Sequence, residues 1–386
     1  MHSNPTKRRV WSKAGELLRW ISRSSLPPAD SPASPPSDWP PRWLVWTVAT
    51  FIALVLLASV AFADGPGDKK EEVGEIANIS LNITPLTVRF DPTGKFALLT
   101  GGQQVSGAGY LPGATGVNIL IDLDKAKAVN SWLGGAPACF SPDGSQIIRG
   151  CYWLDFVDAK TGQLKGQLPL GKDQQSLDYA IAPDGKRLVV ACGDGCARVF
   201  QYPGGKVLRQ FPHGKGWTTA AWTTDSKALL TGGTDSDLRL WDVENDKQVK
   251  VCEHHKSAIL LARVLDEKRA ISVSSDGMSC VWDLKSGKEL HSFTIPNFGR
   301  QRLTFPAWKP VFAPNWVAVG GDRLFVGHSH GGLTLWDMGG QLLWQKKDAH
   351  KGEDVMCVAI APDGHHSISA GGDGRLRYWR LPDAKK

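Results

Sequence analysis

Short apolar runs and polar turns alternate along the chain from about residue 74 to residue 383. Each unit holds an apolar run, a tight turn, a second apolar run, a Gly/Asp turn, an alternating strand and a last strand. The turn aspartates recur at a spacing of 41 residues: Asp143, Asp184, Asp225 and Asp266, and again Asp322 and Asp363. A period of about 40–45 residues with four strands per unit predicts a β-propeller.

Several of these units end a strand with the dipeptide Trp-Asp. The stretches are "LRLWD" (238–242), "SCVWD" (279–283) and "LTLWD" (333–337), while "LRYWR" (376–380) keeps only the tryptophan. Over residues 75–386 the chain resembles the WD40 repeat family. The resemblance implies an all-β fold, namely a seven-bladed WD40-type β-propeller.

The number of units predicts how the ring closes. Seven units fit the chain: 84–135, 136–171, 175–212, 215–253, 257–295, 313–348 and 353–381. The last unit ends after its third strand, so its fourth strand must come from elsewhere. Residues 74–81, "GEIANISL", alternate as a strand does, and we predict that they form the outer strand of the last blade. Such pairing closes the ring and removes exposed sheet edges.

A hydroxyl, a carboxylate and an indole fall close together at Thr231, Asp235 and Trp241, with the imidazole of His213 upstream. Hydroxyl, imidazole and carboxylate are the parts of a nucleophilic triad. The WD40 resemblance instead implies a buried network of these four residues, and the pattern recurs in two further blades. Its members there are His254, Ser272, Asp276 and Trp282, and then His350, Ser369, Asp373 and Trp379. Because catalytic groups occur once per chain, we predict structural networks, no catalytic residue and no enzyme.

The other blades depart from this pattern. At the network positions, blade three has Asp194 and Phe200, blade two has Cys151 and Val157, blade one has Thr115 and Ile121, and blade six has His330 and Trp336. These departures leave the propeller fold in place but put the stability of blades one, two and six in question.

The front of the chain has a different character. Residues 43–63, "WLVWTVATFIALVLLASVAFA", contain no charged residue and are long enough to span a bilayer as a helix. Basic residues precede this run, which predicts that the rest of the chain is exported. We divide the chain into a basic amphipathic and proline-rich tail (1–42), a transmembrane or signal helix (43–63), a linker (64–73) and the propeller (74–383).

Two fates of residues 43–63 remain open. The Ala61-Phe62-Ala63 sequence before Asp64 fits a signal-peptidase site. The unusually long region before the apolar run favours a retained single-span anchor. The propeller is therefore predicted outside the cytoplasm, held at the membrane or released after cleavage between Ala63 and Asp64.

Charge and cysteine content limit the partners and cofactors. The first 63 residues carry seven Lys or Arg and three Asp or Glu, so the remaining 323 carry only +3 of the net +7. A nearly balanced charge over residues 64–386 predicts no nucleic-acid partner.

The seven cysteines show no haem or zinc spacing, although Cys192 and Cys196 could bridge a hairpin. His328 and His330 form a lone His-x-His pair without carboxylates, so no metal and no cofactor is predicted.

Function is expected in the loops, because packing explains the repeats. Two insertions, 101–116 and 296–312, interrupt the rhythm, and the WD40 resemblance places both on the top face of the ring. The second insertion contains residue types found at binding hot spots: Phe298, Arg300, Arg302 and Trp308. Four lysines in other loops would form a positive collar for an acidic partner: Lys172, Lys215, Lys256 and Lys351.

These observations predict a monomeric, non-catalytic scaffold that binds proteins or peptides mainly through its top-face loops. The alternative is a propeller enzyme, or a binder of small ligands or metal, that uses the central channel.

Overall fold

The computed structural model describes residues 73–81, 83–102, 116–134, 137–150, 153–170, 176–213, 218–296 and 316–383. These ranges form seven four-stranded sheets, and all neighbouring strands are antiparallel. The described residues contain one helical segment, the 3₁₀ turn Ser329–Gly331 in blade six. The prediction of an all-β, seven-bladed propeller is confirmed.

The first strand of the chain, β1 (Gly74–Ser80), belongs to the last blade. Blade one contains β2 (Thr84–Phe90), β3 (Phe96–Gly102), β4 (Gly116–Asp122) and β5 (Lys127–Leu133). Blade two contains β6 (Ala138–Phe140), β7 (Gln146–Gly150), β8 (Trp153–Asp158) and β9 (Leu164–Pro169). Blade three contains β10 (Ser176–Ile181), β11 (Arg187–Cys192), β12 (Cys196–Gln201) and β13 (Val207–Pro212).

The remaining blades follow the same plan. Blade four contains β14 (Thr218–Trp222), β15 (Ala228–Gly233), β16 (Asp237–Asp242) and β17 (Lys247–Glu253). Blade five contains β18 (Ile259–Val264), β19 (Arg269–Ser274), β20 (Met278–Asp283) and β21 (Glu289–Thr294). Blade six contains β22 (Val317–Gly320), β23 (Arg323–Gly327), β24 (Leu333–Asp337) and β25 (Leu342–Lys346). Blade seven contains β26 (Val355–Ile360), β27 (His366–Gly371), β28 (Arg375–Arg380) and β1.

Strand β1 closes the ring as the sequence predicted. It pairs with β28 so that Gly74 lies opposite Arg380 and Ser80 opposite Arg375. Its alternate residues Ala77 and Ile79 are buried in one apolar core with side chains of blades one and seven. Both ends of the propeller segment therefore build the same blade.

Apolar side chains fill the space between neighbouring blades. The ring of Trp241 in blade four packs against Phe211 of blade three, with ring centroids 4.9 Å apart. Phe293 of blade five stacks on Trp336 of blade six at 6.4 Å. Each large side chain buried in this way contributes about 1.5–3 kcal/mol to folding, so the blades stabilise one another.

The recurring turn aspartates hold the hairpins between the first and second strands. Asp143 accepts hydrogen bonds from Ser141 Oγ at 2.5 Å and from the backbone N–H of Ser145 at 3.0 Å. Gly144 between them has a φ of 70°, which suits glycine. Asp225 binds its own turn in the same way. The regular spacing of aspartates thus reflects turn geometry.

The first strands of the blades surround the central axis, since β10 contacts β14 and β14 contacts β18. Strand direction alternates within each blade. The loops between second and third strands therefore lie at the same end of the ring as the loops between blades. We call this end the top face and the opposite end the bottom face.

The predicted membrane segment, 43–63, lies outside the described residues, as do the tail 1–42 and most of the linker 64–73. Within the part of the chain that the structure describes, no helix is long and apolar enough to cross a membrane. The anchor, the signal and the export of the propeller stay predictions.

Candidate functional site

The hydroxyl, imidazole and carboxylate of blade four meet in the structure. Thr231 Oγ1 lies 2.6 Å from His213 Nε2, and His213 Nδ1 lies 3.0 Å from Asp235 Oδ1. The indole N–H of Trp241 donates to Thr231 Oγ1 at 2.7 Å. Thr231 and Trp241 stand on β15 and β16, whereas His213 follows the outer strand of blade three. The network therefore joins two blades.

Blade seven repeats this arrangement. His350 Nε2 lies 2.7 Å from Ser369 Oγ, and His350 Nδ1 lies 2.8 Å from Asp373 Oδ1. The indole N–H of Trp379 donates to Ser369 Oγ at 2.9 Å. One direction of donation satisfies the whole chain, from indole to hydroxyl, from hydroxyl to Nε2, and from Nδ1–H to carboxylate. This scheme requires a neutral imidazole.

The order of these groups is that of a nucleophilic triad, but the hydroxyls are enclosed. Thr231 and Ser369 are both 0% exposed, and each already accepts an indole N–H. Burial lowers the pKa of His213 and His350, although their carboxylate partners act in the opposite direction. Both hydroxyl oxygens are enclosed, and this geometry favours a structural role over a catalytic one.

Each of these two networks also contains an arginine that the sequence analysis did not assign. Arg239 donates to Asp235, and Arg377 donates to Asp373 at 2.7 Å. Burial alone would raise the pKa of either carboxyl, but hydrogen bonds from the arginine and the histidine outweigh it and lower the pKa. The signal was present in the sequence, because in both blades the arginine follows the aspartate by four residues.

In blade five the prediction of His254 as the network histidine is wrong. His255 Nε2 lies 2.6 Å from Ser272 Oγ, which also accepts the indole N–H of Trp282 at 2.8 Å. His254, one residue earlier, keeps 39% of its side chain exposed, and its Nδ1 atom lies 2.7 Å from Glu289 Oε2. The two adjacent imidazoles point in different directions, and only the second reaches the interior.

Asp276 also departs from the predicted network. It accepts a hydrogen bond from Ser274 Oγ, and His255 Nδ1 has no hydrogen-bond partner among the described residues. The position of Ser274, two residues after the network serine, is Gly371 in blade seven. A Cβ atom added at Gly371 would lie 2.3 Å from His350 Nδ1. A side chain at this position is therefore incompatible with the histidine–carboxylate bond, which accounts for the difference in blade five.

Blades two and three use ion pairs near the same positions. In blade three, Asp194 accepts two hydrogen bonds from Arg198, at 3.0 and 2.6 Å. In blade two, Arg149 Nε lies 3.6 Å from Asp155 Oδ2. Blade one instead packs the apolar side chain of Ile121 at its tryptophan position.

Blade six moves the hydroxyl to the third strand. Thr334 Oγ1 accepts the indole N–H of Trp336 at 2.8 Å and lies 2.7 Å from His328 Nε2. Burial lowers the pKa of His328. The backbone N–H of His330 donates to Asp354 Oδ1 at 3.0 Å. The Nε2 atom of His328 is thus in hydrogen-bond contact with a threonine.

Cys192 and Cys196 flank the turn of blade three and are not joined by a disulfide. Burial raises the pKa of the Cys192 thiol to about 12. The Cys192 thiol is therefore a poor nucleophile at neutral pH.

A polar cluster that the sequence analysis missed lies among the first strands, which surround the central channel. Asp178 accepts hydrogen bonds from Arg89 at 3.1 Å, Arg263 at 3.3 Å and Thr219 at 3.2 Å. These residues come from blades one, three, four and five. Two guanidinium groups share one carboxylate, and within the described ranges Arg89 Nε has no hydrogen-bond partner. The cluster therefore carries a net charge of +1.

The top face presents part of the predicted binding surface. Lys256 and Lys351 are exposed in loops between blades. Trp153, which the sequence analysis did not select, begins β8 on the same face with 49% of its surface exposed. Exposed Asp276 and Glu353 also lie there, so the described part of the collar is of mixed charge. The other predicted contact residues lie outside the described residues: Lys172, Lys215, Phe298, Arg300, Arg302 and Trp308.

Comparison with known proteins adds a family match. Residues 205–242 and 343–380 match the family model described as WD domain, G-beta repeat. Each match runs from the outer strand of one blade through three strands of the next, and these next blades, four and seven, hold the complete networks. The described residues thus form a seven-bladed β-propeller, and two of its segments match the WD repeat. A search among curated proteins finds no match for the chain.

Proposed function

We propose that this propeller is a non-catalytic scaffold that docks proteins or peptides, chiefly through its top face. One observation carries the proposal: the groups that resemble a catalytic triad are enclosed, while Trp153, Lys256 and Lys351 reach solvent on a single face. An aromatic side chain that is half exposed on a rigid sheet end provides a hot-spot anchor at little entropic cost.

The cationic residues would give this face its specificity. Lys256 and Lys351 are long, exposed side chains that can meet carboxylates of a partner at the rim of an interface. The acidic Asp276 and Glu353 would repel a uniformly acidic surface, so the preferred partner presents acidic groups spaced between neutral ones. Lys172, Lys215 and the stretch from Phe298 to Trp308 remain part of the proposed surface on sequence grounds.

Charge-reversed baits test this proposal. The full-length chain, a Lys256→Glu/Lys351→Glu variant and a Lys186→Glu/Lys268→Glu variant are each used for affinity capture from a native extract. Lys186 and Lys268 are exposed in bottom-face turns, so the control has the same change in charge at the opposite end of the ring. Proteins captured by wild type and control, and lost from the top-face variant, support the proposal. Equal capture by all three baits contradicts top-face docking, and capture by none contradicts the scaffold.

The same proposal places the propeller outside the cytoplasm, on the strength of the uncharged segment 43–63 and the basic residues before it. Protease treatment of intact cells that express a C-terminally tagged chain tests the location. Loss of the tag supports export, and full protection contradicts it. The N-terminal sequence of the mature chain separates the two fates, since cleavage would expose Asp64.

A small anionic ligand in the central channel is the second candidate function. The observation that favours it is the excess positive charge of Arg89 and Arg263 over Asp178. Inorganic phosphate and citrate are suitable probes by calorimetry with wild type and an Arg263→Met variant. Binding that the substitution removes supports this function, and absence of binding to wild type rules it out for these anions.

A further inference from the structure

The outer edge of blade five brings together three side chains with the donor atoms that zinc prefers. The imidazole of His254, the thiol of Cys280 and the carboxylate of Glu289 each offer one atom, and these atoms lie within 4.8 Å of one another. His254 Nδ1 lies 2.7 Å from Glu289 Oε2. Ligand atoms of a tetrahedral zinc ion are about 3.3–3.8 Å apart, so small side-chain rotations suffice. We propose that His254, Cys280 and Glu289 bind Zn²⁺, with water as the fourth ligand.

In blade seven an arginine occupies the position that corresponds to the proposed zinc site. The guanidinium of Arg377 lies between two carboxylates, 2.7 Å from Asp373 and 3.4 Å from Glu75. Arg377 stands opposite the network hydroxyl of Ser369, and Glu75 stands opposite Trp379. One fixed positive charge thus lies between the two carboxylates.

Blade five keeps both carboxylates but lacks that cation. Glu289 stands opposite Trp282, as Glu75 does in blade seven, and Asp276 is the turn aspartate. Cys280 takes the arginine position, because it stands opposite the network hydroxyl of Ser272. A divalent ion would supply the missing positive charge, and Cys280 would supply a ligand in place of the arginine.

The chemistry of the three ligands favours zinc. Cysteine binds a metal ion through its ionised sulfur. Zinc binds the thiolate, and the proton leaves to solvent as the bond forms. Soft sulfur with one imidazole and one carboxylate favours zinc over magnesium or calcium, which prefer oxygen.

The site has an entry path. The side chains of His254 and Glu289 are 39% and 26% exposed, whereas Cys280 is 0% exposed. An ion can therefore bind the two outer ligands first and the sulfur last. Since His254 follows the outer strand of blade four while the other two ligands belong to blade five, the bound ion would join neighbouring blades.

Metal titration of the full-length protein tests this proposal. After treatment with a chelator, Zn²⁺ is titrated against a chromophoric competitor, and Co²⁺ is titrated in parallel because a thiolate ligand gives it a charge-transfer band. The variants are Cys280→Ser and His254→Ala, the second being a change at a partly exposed side chain that spares the core. Cys252→Ser is the matched control, since Cys252 is a buried cysteine in the same apolar cluster.

We expect one equivalent of metal with the thiolate band in wild type and in the Cys252→Ser variant. His254→Ala should weaken binding at least about tenfold, and Cys280→Ser should remove the band. Zinc should also raise the melting temperature of wild type and not that of the His254→Ala variant. Absence of stoichiometric binding, or binding that survives both substitutions, would overturn the proposal.

Discussion

Blades five and seven share one four-stranded plan and bury different polar groups. In blade seven, His350 binds both Ser369 and Asp373, and Arg377 completes the chain. In blade five, His255 binds its serine but not its aspartate. Two positions explain the difference, namely Gly371 and Arg377 in blade seven, because their counterparts in blade five are Ser274 and Cys280.

The comparison shows that the hydrogen-bonded set of hydroxyl, imidazole and carboxylate is complete in blade seven and only partly formed in blade five. The indole–hydroxyl bond is kept in both blades, at 2.9 Å in blade seven and 2.8 Å in blade five. The histidine–carboxylate bond is lost when a side chain takes the place of the glycine. Blade five lacks the complete network and has a different group of side chains at its edge, namely His254, Cys280 and Glu289.

The largest expected effect on stability comes from removing the outer strand of blade seven. Deletion of residues 74–80 removes its outer strand, exposes the edge of β28 and takes the side chains of Ala77 and Ile79 out of the apolar core. We expect a loss of about 5 kcal/mol or more in the free energy of unfolding, which is the whole stability of many domains. Thermal unfolding of the full-length chain measures it, and deletion of 64–70 in the predicted linker is the control of equal length. An unchanged melting temperature would contradict the closure.

The sequence was sufficient to predict the fold. Trp-Asp dipeptides mark the ends of third strands, and turn aspartates at a fixed spacing mark the first hairpins, since each signal reports a local contact. The closing strand could be predicted because the last unit lacked a fourth strand and 74–81 alternated. These inferences need only short-range geometry and the requirement that a propeller leaves no open edge.

The site was harder to predict, for physical reasons. Arg89 and Asp178 are 89 positions apart and meet only when the ring closes, so no local pattern links them. In blade five, the sequence spacing to the network serine could not show whether His254 or His255 binds it. A change of one residue in the loop length would bring the other imidazole to the same place. The weak signal for the channel cluster was a charge within an otherwise apolar first strand.

The next largest effect is expected from a substitution that gives blade seven a side chain where blade five has Ser274. Gly371→Ala places a methyl group 2.3 Å from His350 Nδ1 and should displace the imidazole from Asp373. We expect a loss of about 2 kcal/mol in the free energy of unfolding, measured by urea denaturation, because the change both overpacks the core and breaks a buried hydrogen bond.

Gly372→Ala is the matched control for this substitution. A Cβ atom there would lie 3.5 Å or more from the nearest atoms of Glu353 and Asp354, which is ordinary contact. The free energy of unfolding of the Gly372→Ala variant should stay within about 0.5 kcal/mol of wild type. Equal losses for the two alanines would show that the effect does not act through His350.

A smaller effect concerns pH. Burial lowers the pKa of His213 and His350 below 6.5, although Asp235, Asp373 and Glu75 act against it and Arg239 and Arg377 act with it. Below pH 6.5 the unfolded chain binds protons that the folded chain does not, so stability falls as pH decreases, by at most about 1.4 kcal/mol per pH unit for each histidine. Urea denaturation at pH 7, 6 and 5 measures the slope, which His350→Gln should reduce. Stability that rises on acidification would contradict the neutral networks.

The most direct test compares Asp373→Ala with Asp276→Ala in the free energy of unfolding of the full-length chain. Asp373 is 8% exposed in its side chain and binds a buried histidine and a buried arginine, so its loss should cost about 3–4 kcal/mol. Asp276 binds Ser274 and the backbone N–H of Met278, and its loss should cost about 1 kcal/mol. A difference of about 2 kcal/mol or more supports a structural network that is complete in blade seven and dismantled in blade five. Equal losses would contradict it.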